Sequence, residues 1–481
     1  MRKTLLTIAL LLAAASVSAD DSIAVDSVKK RPWTAAAEVI GITGLIIGYN
    51  NSVLSMTEWS KVSFESIKRN ATEFKWWWDE DYFYTNTLEH PLHGYLYYAS
   101  ARENGLGIGT SAVYSAAGSL LWEIVGESEL PSYNDMIITP IGGVTIGESL
   151  HRISDLILDD GTQGTERLGR EVLAAIVNPV RGLNRLLYGD AWRVKSNHKR
   201  KKLTFETSLS TGYRVLDVDD KPAIRTSYLH WNATYGDPMG ANGNGMFDYF
   251  DLDATAAFGN RQMPLNYARI TSQLWRSTLS ENEAKGYNWT LGLYNHFLYN
   301  YAEPYADSKE GIKKRYITGY SEVGAIGPGV SYSTGQRIKW QQQLCVNGII
   351  IGATPMDLTD RQHSQIGYSW GSGYGAKLFS QLRYGNLLHF KTTVDFSQLF
   401  TWKGYDCNGD IDLKKVAAKD VQGEAGNTLT LMVSPSLALY PWKHVGLEIR
   451  GRYMWHKYNY LYHTHHHVSS REILLGLNVR L

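Results

Sequence analysis

From Leu203 to the terminal Leu481 the sequence runs in strand-length stretches in which every second side chain is apolar. In the last stretch Ile473, Leu475, Leu477, Val479 and Leu481 share one face, while Leu474, Gly476, Asn478 and Arg480 share the other. Side chains alternate across a strand, so this pattern makes one apolar and one mostly polar surface. The same period holds where Leu203, Phe205, Leu209, Tyr213 and Val215 alternate with Thr204, Glu206, Ser208, Ser210 and Arg214. It returns where Val445, Leu447, Ile449, Tyr453 and Trp455 alternate with Gly446, Glu448, Arg450, Arg452 and His456. The packed interior of a small sandwich would not accept Glu448, Arg450 and Arg452 on one face, because burying such charges is costly. A water-filled lumen accepts them. The period therefore predicts a closed barrel, greasy outside and wet inside, with Glu206, Arg214, Lys391, Asp395, Glu448, Arg450 and Arg452 facing the lumen.

Counting back from the C-terminus predicts about twelve strands, an even number that returns both ends to one side of a membrane. They fall near 202–216, 222–235, 247–259, 265–279, 286–302, 315–333, 337–351, 364–384, 387–402, 427–440, 444–459 and 471–481. Tight connections at Tyr440–Lys443, Tyr384–Asn386 and Ser333–Gln336 alternate with long ones at Gly404–Gly426, Gly352–His363 and Ala302–Lys314. Short periplasmic turns and long outer loops are the asymmetry of outer-membrane barrels. Tyr440, Trp442, Trp455, Tyr458 and Tyr460 near strand ends fit interfacial girdles. Gly476, Val479 and Leu481 resemble the C-terminal signal read by barrel-assembly machinery, with Leu481 in place of the more typical Phe.

The N-terminus agrees with this location. Arg2 and Lys3, the apolar run Leu5–Ala15 and the small residues ending at Ala19 form the three-part layout of a secretory signal, expected at 1–19. After it the sequence predicts a helical domain at 20–192, a basic linker at 193–201 and the barrel at 202–481, an α+β chain placed in the outer membrane and in contact with its lipid. The helical half is expected at the periplasmic side or in the barrel lumen. Lys and Arg number 48 against 47 Asp and Glu, so the charge balance lacks the basic footprint of a nucleic-acid partner. Only Cys345 and Cys407 occur, a possible disulfide but no disulfide scaffold. The longest apolar candidate for a helical span, Ala35–Tyr49, is interrupted by Glu38, Gly41, Gly44 and Gly48.

Between Pro32 and Asp190 the period is helical, as in Val113, Ala116, Ala117, Leu120, Leu121 and Ile124. Helices are expected near 33–50, 54–70, 91–104, 110–127, 135–158 and 166–187. Gly118, Gly142, Gly143 and Gly147, with Ala112, Ala116 and Ala117, predict helices in close approach. Trp76-Trp77-Trp78 is either an interfacial anchor or a core contact to the barrel.

The polar residues of this half are distinctive: Asp79-Glu80-Asp81, Asn86, His90-Pro91-Leu92-His93-Gly94, Ala101-Arg102, Trp122-Glu123, Glu127, Asn134-Asp135, Gly142-Gly143, Gly147-Glu148 and Arg152. In this order they resemble a family of bacterial envelope proteins known as domain of unknown function 3943, over roughly Asp79–Leu158. The resemblance implies an exported protein in which a helical segment precedes a β-rich region. It implies no activity, so the residues carry that question themselves.

His90 and His93 lie three apart around Pro91, and Glu123 and Glu127 lie four apart on one helical face. With Asp135 and Glu148 they are the ingredients of an acid-base site, and His90, His93, Glu123 and Glu127 those of a divalent-metal site. The plainer alternative has His90 and Asn134-Asp135 capping helices, Glu148 pairing with Arg152, and Glu123 pairing with Arg102. His463, His465, His466 and His467 fall in the last expected outer loop, where they could take up a metal adventitiously. Gly367-Tyr368-Ser369-Trp370-Gly371 has the spacing of a nucleophile elbow but lies in an expected strand, outside the strand-turn-helix context that motif needs. Two functions follow. One is a barrel for solute passage or envelope maintenance, plugged or braced by its helical half. The other is an envelope enzyme acting on lipid or glycan through His90, His93, Glu123, Glu127 and Asp135.

Overall fold

The computed structural model describes residues 29–53, 61–73, 75–79, 81–194, 204–219, 222–239, 243–259, 264–282, 286–307, 314–335, 337–355, 367–404, 423–462 and 464–481, with backbone only at 303–307 and 314–317. The expected signal segment, linker residues 195–201, Cys407 and His463 lie outside these residues. The chain divides into two units, residues 1–79 with 88–202, and residues 80–87 with 203–481.

The first unit is helical, with α1 Pro32–Val53, α2 Phe64–Thr72, α3 His90–Arg102, α4 Ile108–Leu121, α5 Asp135–Ile157, α6 Gly164–Val177 and α7 Pro179–Leu187. Where the periodicity predicts one helix over 166–187, the chain breaks at Asn178. That residue is extended (φ −139°, ψ 90°), its Oδ1 accepts from Arg181 N at 3.1 Å, and Pro179 follows at the first helical position. A proline has no N–H for a helix interior, so the break costs the ladder nothing there. Of the helix expected over 54–70, residues 54–60 lie outside the described residues, and α2 starts at Phe64, where Ser63 and Ser66 cap each other reciprocally. α4 ends at Leu121 and passes into a π turn at Trp122–Gly126. No described helix is long and apolar enough to cross a membrane.

α3 and α5 cross at near-contact between backbones. A Cβ on Gly94 would stand 1.8 Å from Thr139 O, and one on Gly143 would stand 2.4 Å from Gly94 C. Gly147 faces the Tyr98 ring and Gly118 the Tyr97 ring in the same way. The Trp run is an internal contact of this unit. Trp77 pairs in parallel with Ser132, and the Trp76 and Trp78 rings lie 5.7 and 5.8 Å from Tyr133.

The second unit is a closed antiparallel barrel of twelve strands in sequence order, β1 Phe205–Val218, β2 Ile224–Tyr235, β3 Phe250–Phe258, β4 Leu265–Asn282, β5 Tyr287–Asp307, β6 Lys314–Thr334, β7 Ile338–Pro355, β8 Tyr368–Tyr384, β9 Leu388–Thr401, β10 Gly426–Leu439, β11 Val445–Tyr460 and β12 His466–Arg480. β12 closes on β1 with Leu209 opposite Val479 and Val218 opposite Ser470. The two faces differ as alternation requires. Ile473, Leu475 and Leu477 are 52–58% exposed on the outside, while Glu472, Leu474 and Asn478 are at most 4% exposed inside. Exposed Leu437, Leu439, Leu447 and Ile449 continue the outer belt.

Part of the lumen is packed with apolar side chains beside the polar ones that the alternation predicts. Tyr267, Leu298, Tyr320, Ala325, Ile349, Leu399, Met432 and Met454 form one buried apolar cluster across β4–β7 and β9–β11. Their flanking polar neighbours disguise them in the sequence, because alternation reports which face a residue takes and not whether that face meets water. At the turn end, residues 236–239 and 243–249 lie against β4 and β5, with Gln273 Nε2 donating to Gly243 O and Gly245 O at 3.0 Å and Asn288 Nδ2 to Met239 O at 2.7 Å. At the long-loop end residues 81–87 belong with the strands. Phe83 stacks on Tyr301 and meets the edge of Tyr368, with centroids at 5.7 and 5.5 Å. Asn86 Nδ2 donates to Tyr368 Oη at 2.7 Å, and that hydroxyl donates to Asp81 O at 2.8 Å.

Candidate functional site

The α3–α5 crossing sets the polar geometry of the helical unit. His90 opens α3 one turn before Gly94, and Asp135 opens α5 one turn before Thr139, so the close contact holds the two helix starts together. His90 Nε2 lies 3.5 Å from Asp135 Oδ1, and Nδ1 lies 3.4 Å from Thr139 Oγ1. Asp79 joins them, its carboxylate placed so that one ligand atom from each of Asp79, His90 and Asp135 lies within 4.8 Å of the others. Asn134 is the scaffold. Its Oδ1 accepts from Asp79 N at 2.8 Å and Ser132 Oγ at 2.7 Å, and its Nδ2 donates to Asp135 Oδ1 at 3.0 Å. Burial raises the pKa of Asp135 against the opposing influence of His90 and of the Ser132 and Asn134 hydrogen bonds.

The other residues singled out by sequence pair off separately. His93 packs its ring 4.6 Å from Tyr97 and 4.7 Å from Trp122, and burial, then the charge of His90, lowers its pKa to about 3. A ring held neutral in that setting is a packing residue. Glu123 Oε2 accepts from Ser132 N at 2.6 Å, and Glu127 Oε1 accepts from Trp122 Nε1 at 2.6 Å. Glu148 pairs with Arg152 at 2.9 Å, one turn on, and also receives Arg102 at 2.8 Å and the Tyr98 hydroxyl at 2.7 Å. The expected pairing of Arg102 with Glu123 is thus replaced by one with Glu148, which faces Arg102 across the α3–α5 contact. Capping differs too. Ser132 Oγ, not Asn134, accepts from Asp135 N, and Glu89 stands at the N-cap of α3 with His90 inside the helix.

A second ion network escaped the sequence. Glu103 accepts from Arg181 Nε at 2.6 Å and Asn178 Nδ2 at 2.6 Å, and it meets His151 Nδ1 at 2.7 Å. Its members are too far apart in the chain for any i, i+4 rule to join them. Burial opposes ionisation of Glu103, but Arg181 and His151 outweigh it and lower the pKa to about 2. For Glu148 burial is likewise outweighed, by Arg102 and Arg152, and its carboxyl sits well below the usual range. Folded values below unfolded ones give stability that is fully present above the unfolded carboxylate pKa, about 4.3, and is lost as pH falls through the folded values. The helical unit is therefore expected to lose its far-UV helical signal between about pH 4 and pH 2. An acid titration in which that signal stays flat to pH 2 would count against both networks.

Inside the barrel the charges are also matched. Arg214 and Arg452 both pair with Glu472, the latter at 2.6 Å, and the Arg452 guanidinium lies 3.6 Å above the Tyr267 ring. Lys377 joins Glu322 and Asp395, Arg450 pairs with Glu448 at 3.0 Å, and Lys391 reaches Asp251 at 3.6 Å. Glu206 pairs with Arg383 from the far side of the barrel. His230 turns to Thr255 at 2.9 Å and Asp253 at 3.2 Å. His465, His466 and His467 are exposed, and the last two sit in β12 opposite Tyr458 and Lys457 and not in a loop. Ser369 lies inside β8 and accepts from Glu424 N at 3.1 Å, so the Gly-x-Ser-x-Gly spacing marks no elbow.

Two small cavities of about 10 and 30 Å³ lie among these pairs. A larger one of about 470 Å³ opens at the turn end, lined by Arg337, Lys339, Arg383, Lys391, Arg450 and Arg480, with Glu206 and Glu448 as its carboxylates.

A closed, even-stranded barrel with an apolar outer belt is the architecture of an outer-membrane barrel, here preceded by a helical unit. Residues 75–180 match the family described as Domain of unknown function (DUF3943). Among solved structures the chain is similar to OmpT, an outer membrane protein of Vibrio cholerae, at 7% identity and TM-score 0.23, covering 60% of this chain and 100% of that one. It is similar to the NanC porin at 10% identity and TM-score 0.26, covering 57% and 100%. Omp33 of Acinetobacter baumannii gives 10% identity and TM-score 0.20, covering 57% and 99%. At these scores the likeness decides nothing about function, and the barrel assignment rests on the strand pairing itself. A search of the curated proteins returns no match.

Proposed function

We propose that this chain is an outer-membrane barrel that holds a small anionic solute in a blind vestibule at its turn end, and that it does not conduct freely. The cavity of about 470 Å³ carries this reading, because Arg337, Lys339 and Arg480 line it beyond Arg383, Lys391 and Arg450, which pair with Glu206, Asp251 and Glu448. Arg480 shows the bias most clearly. Its guanidinium lies 3.2 Å above the Tyr440 ring, Nη1 donates to Asn386 O at 3.2 Å, and Nη2 is buried without a hydrogen-bond partner among the described residues. A carboxylate or phosphate oxygen is the natural acceptor for such a group. With short turns facing the periplasm, the vestibule opens to that compartment.

The blind end follows from packing. Beyond the vestibule lie cavities of about 30 and 10 Å³ and then the cluster around Tyr267, Met432 and Met454. The larger of these holds about one water. Retention at the periplasmic mouth is a role in envelope maintenance, and passage would require that cluster to part.

In planar bilayers the full-length protein is expected to give no stepwise conductance. In micelles it is expected to bind citrate or inorganic phosphate but not glucose. Arg480→Gln combined with Lys339→Gln should weaken that binding about 10-fold or more, since each charged hydrogen bond is worth about 1.5–3 kcal/mol. Stable open-channel steps, or anion binding indifferent to both substitutions, would sink the reading.

A further inference from the structure

We infer that Asp79, His90 and Asp135 form a binding site for one divalent transition-metal ion with a preference for nitrogen and oxygen ligands, in the class of Zn²⁺ or Mn²⁺. This site is in the helical unit and is independent of the vestibule. Two observations converge on it. The ligand atoms of an imidazole and two carboxylates, drawn from three separate stretches of chain, lie within 4.8 Å of one another. The 3.5 Å between His90 Nε2 and Asp135 Oδ1 is long for a hydrogen bond, which prefers about 2.7–3.2 Å. It is close to the separation of about 3.4 Å between two ligands that each stand about 2.0–2.1 Å from a tetrahedral ion.

The surroundings are those of an oriented ligand set. His90 and Asp135 are buried at 6% and 1% exposure. Thr139 Oγ1 meets the far ring nitrogen of His90, leaving Nε2 toward Asp135. Asn134 holds the Asp135 carboxylate and the Asp79 backbone together, and Ser132 and Glu123 in turn hold Asn134 and its loop. Outer partners such as Asn134 aim metal ligands. An imidazole in the set disfavours Mg²⁺ and Ca²⁺, which take oxygen. Three protein ligands also leave a position open for water or a substrate oxygen, the arrangement of catalytic rather than structural ions.

The test uses full-length protein in micelles, stripped with a chelator, in which His463, His465, His466 and His467 are all replaced by Ala to remove the competing histidines. Titration with ZnCl₂ by calorimetry and with MnCl₂ by electron paramagnetic resonance is expected to give one ion per chain. Asp79→Asn and His90→Gln should each weaken binding by more than about 10-fold, and Asn134→Ala by about 10- to 100-fold. Asp79 is only half-buried, so Asp79→Asn is expected to keep the ion-free fold, checked by the far-UV signal. Absence of a stoichiometric ion in the folded parent would overturn the assignment. So would undiminished binding in folded Asp79→Asn.

Discussion

Glu148→Gln is expected to destabilise the helical unit by about 3–5 kcal/mol, the cost of removing one partner from a buried ionic network. Glu148 is fully buried and faces two guanidiniums, Arg102 and Arg152, whose side chains are 13% and 6% exposed. The amide would keep the shape and the Tyr98 hydrogen bond, but would leave two cations without the anion that justifies their burial. With a urea dependence of about 1–3 kcal/mol per molar for a domain of this kind, the midpoint of the helical signal should fall by about 1 M or more. A second variant separates charge from packing. Replacing all three with apolar residues, Arg102→Met, Glu148→Leu and Arg152→Leu, removes every desolvation cost at once and should be far less harmful than the single change. If Glu148→Gln shifts the midpoint by less than the triple variant does, the network is not the buried triad described.

What the sequence made legible follows from which interactions are local. Twelve strands could be read because alternation is a property of each strand alone, and β12 from His466 shows it through Ile473, Leu475 and Leu477. Glu148 with Arg152 was legible for the same reason, being one helical turn apart. Nothing local reveals which helix Arg102 faces, and the α3–α5 crossing decides that. His90 and Asp135 could be nominated from their places at helix starts. Asp79 could not, since it reaches them through the pairing of Trp77 with Ser132, which joins distant parts of the chain. The break at Asn178-Pro179 was written in the dipeptide, but the apolar period runs on to Leu187 and hid it. Nothing in the period marks Phe83 and Asn86 as partners of the barrel. Alternation likewise could not tell a water-lined lumen from one packed around Met432 and Met454.

Gly94→Ala is expected to cost the helical unit about 3 kcal/mol or more, at or above the upper end for overpacking, because the atom it strikes is backbone. The new Cβ would stand 1.8 Å from Thr139 O, and no rotamer change can relieve a contact with a carbonyl of the neighbouring helix. The helices must instead move apart, and that loses the fit of Gly143 against Gly94. Gly41→Ala on α1 is the control. Nothing lies within 4 Å of its Cβ position, so the higher helix propensity of Ala should make it neutral or stabilising by up to about 1 kcal/mol. The consequence reaches function because Gly94 and Thr139 each lie one turn beyond His90 and Asp135. A crossing pried open at the first pair separates the second, so the Gly94→Ala protein should lose metal binding in parallel with its stability, while Gly41→Ala retains both. Unfolding midpoints and Zn²⁺ titrations of the two variants side by side check this. A folded Gly94→Ala protein with parental stability would mean that the helices do not meet as closely as the structure places them.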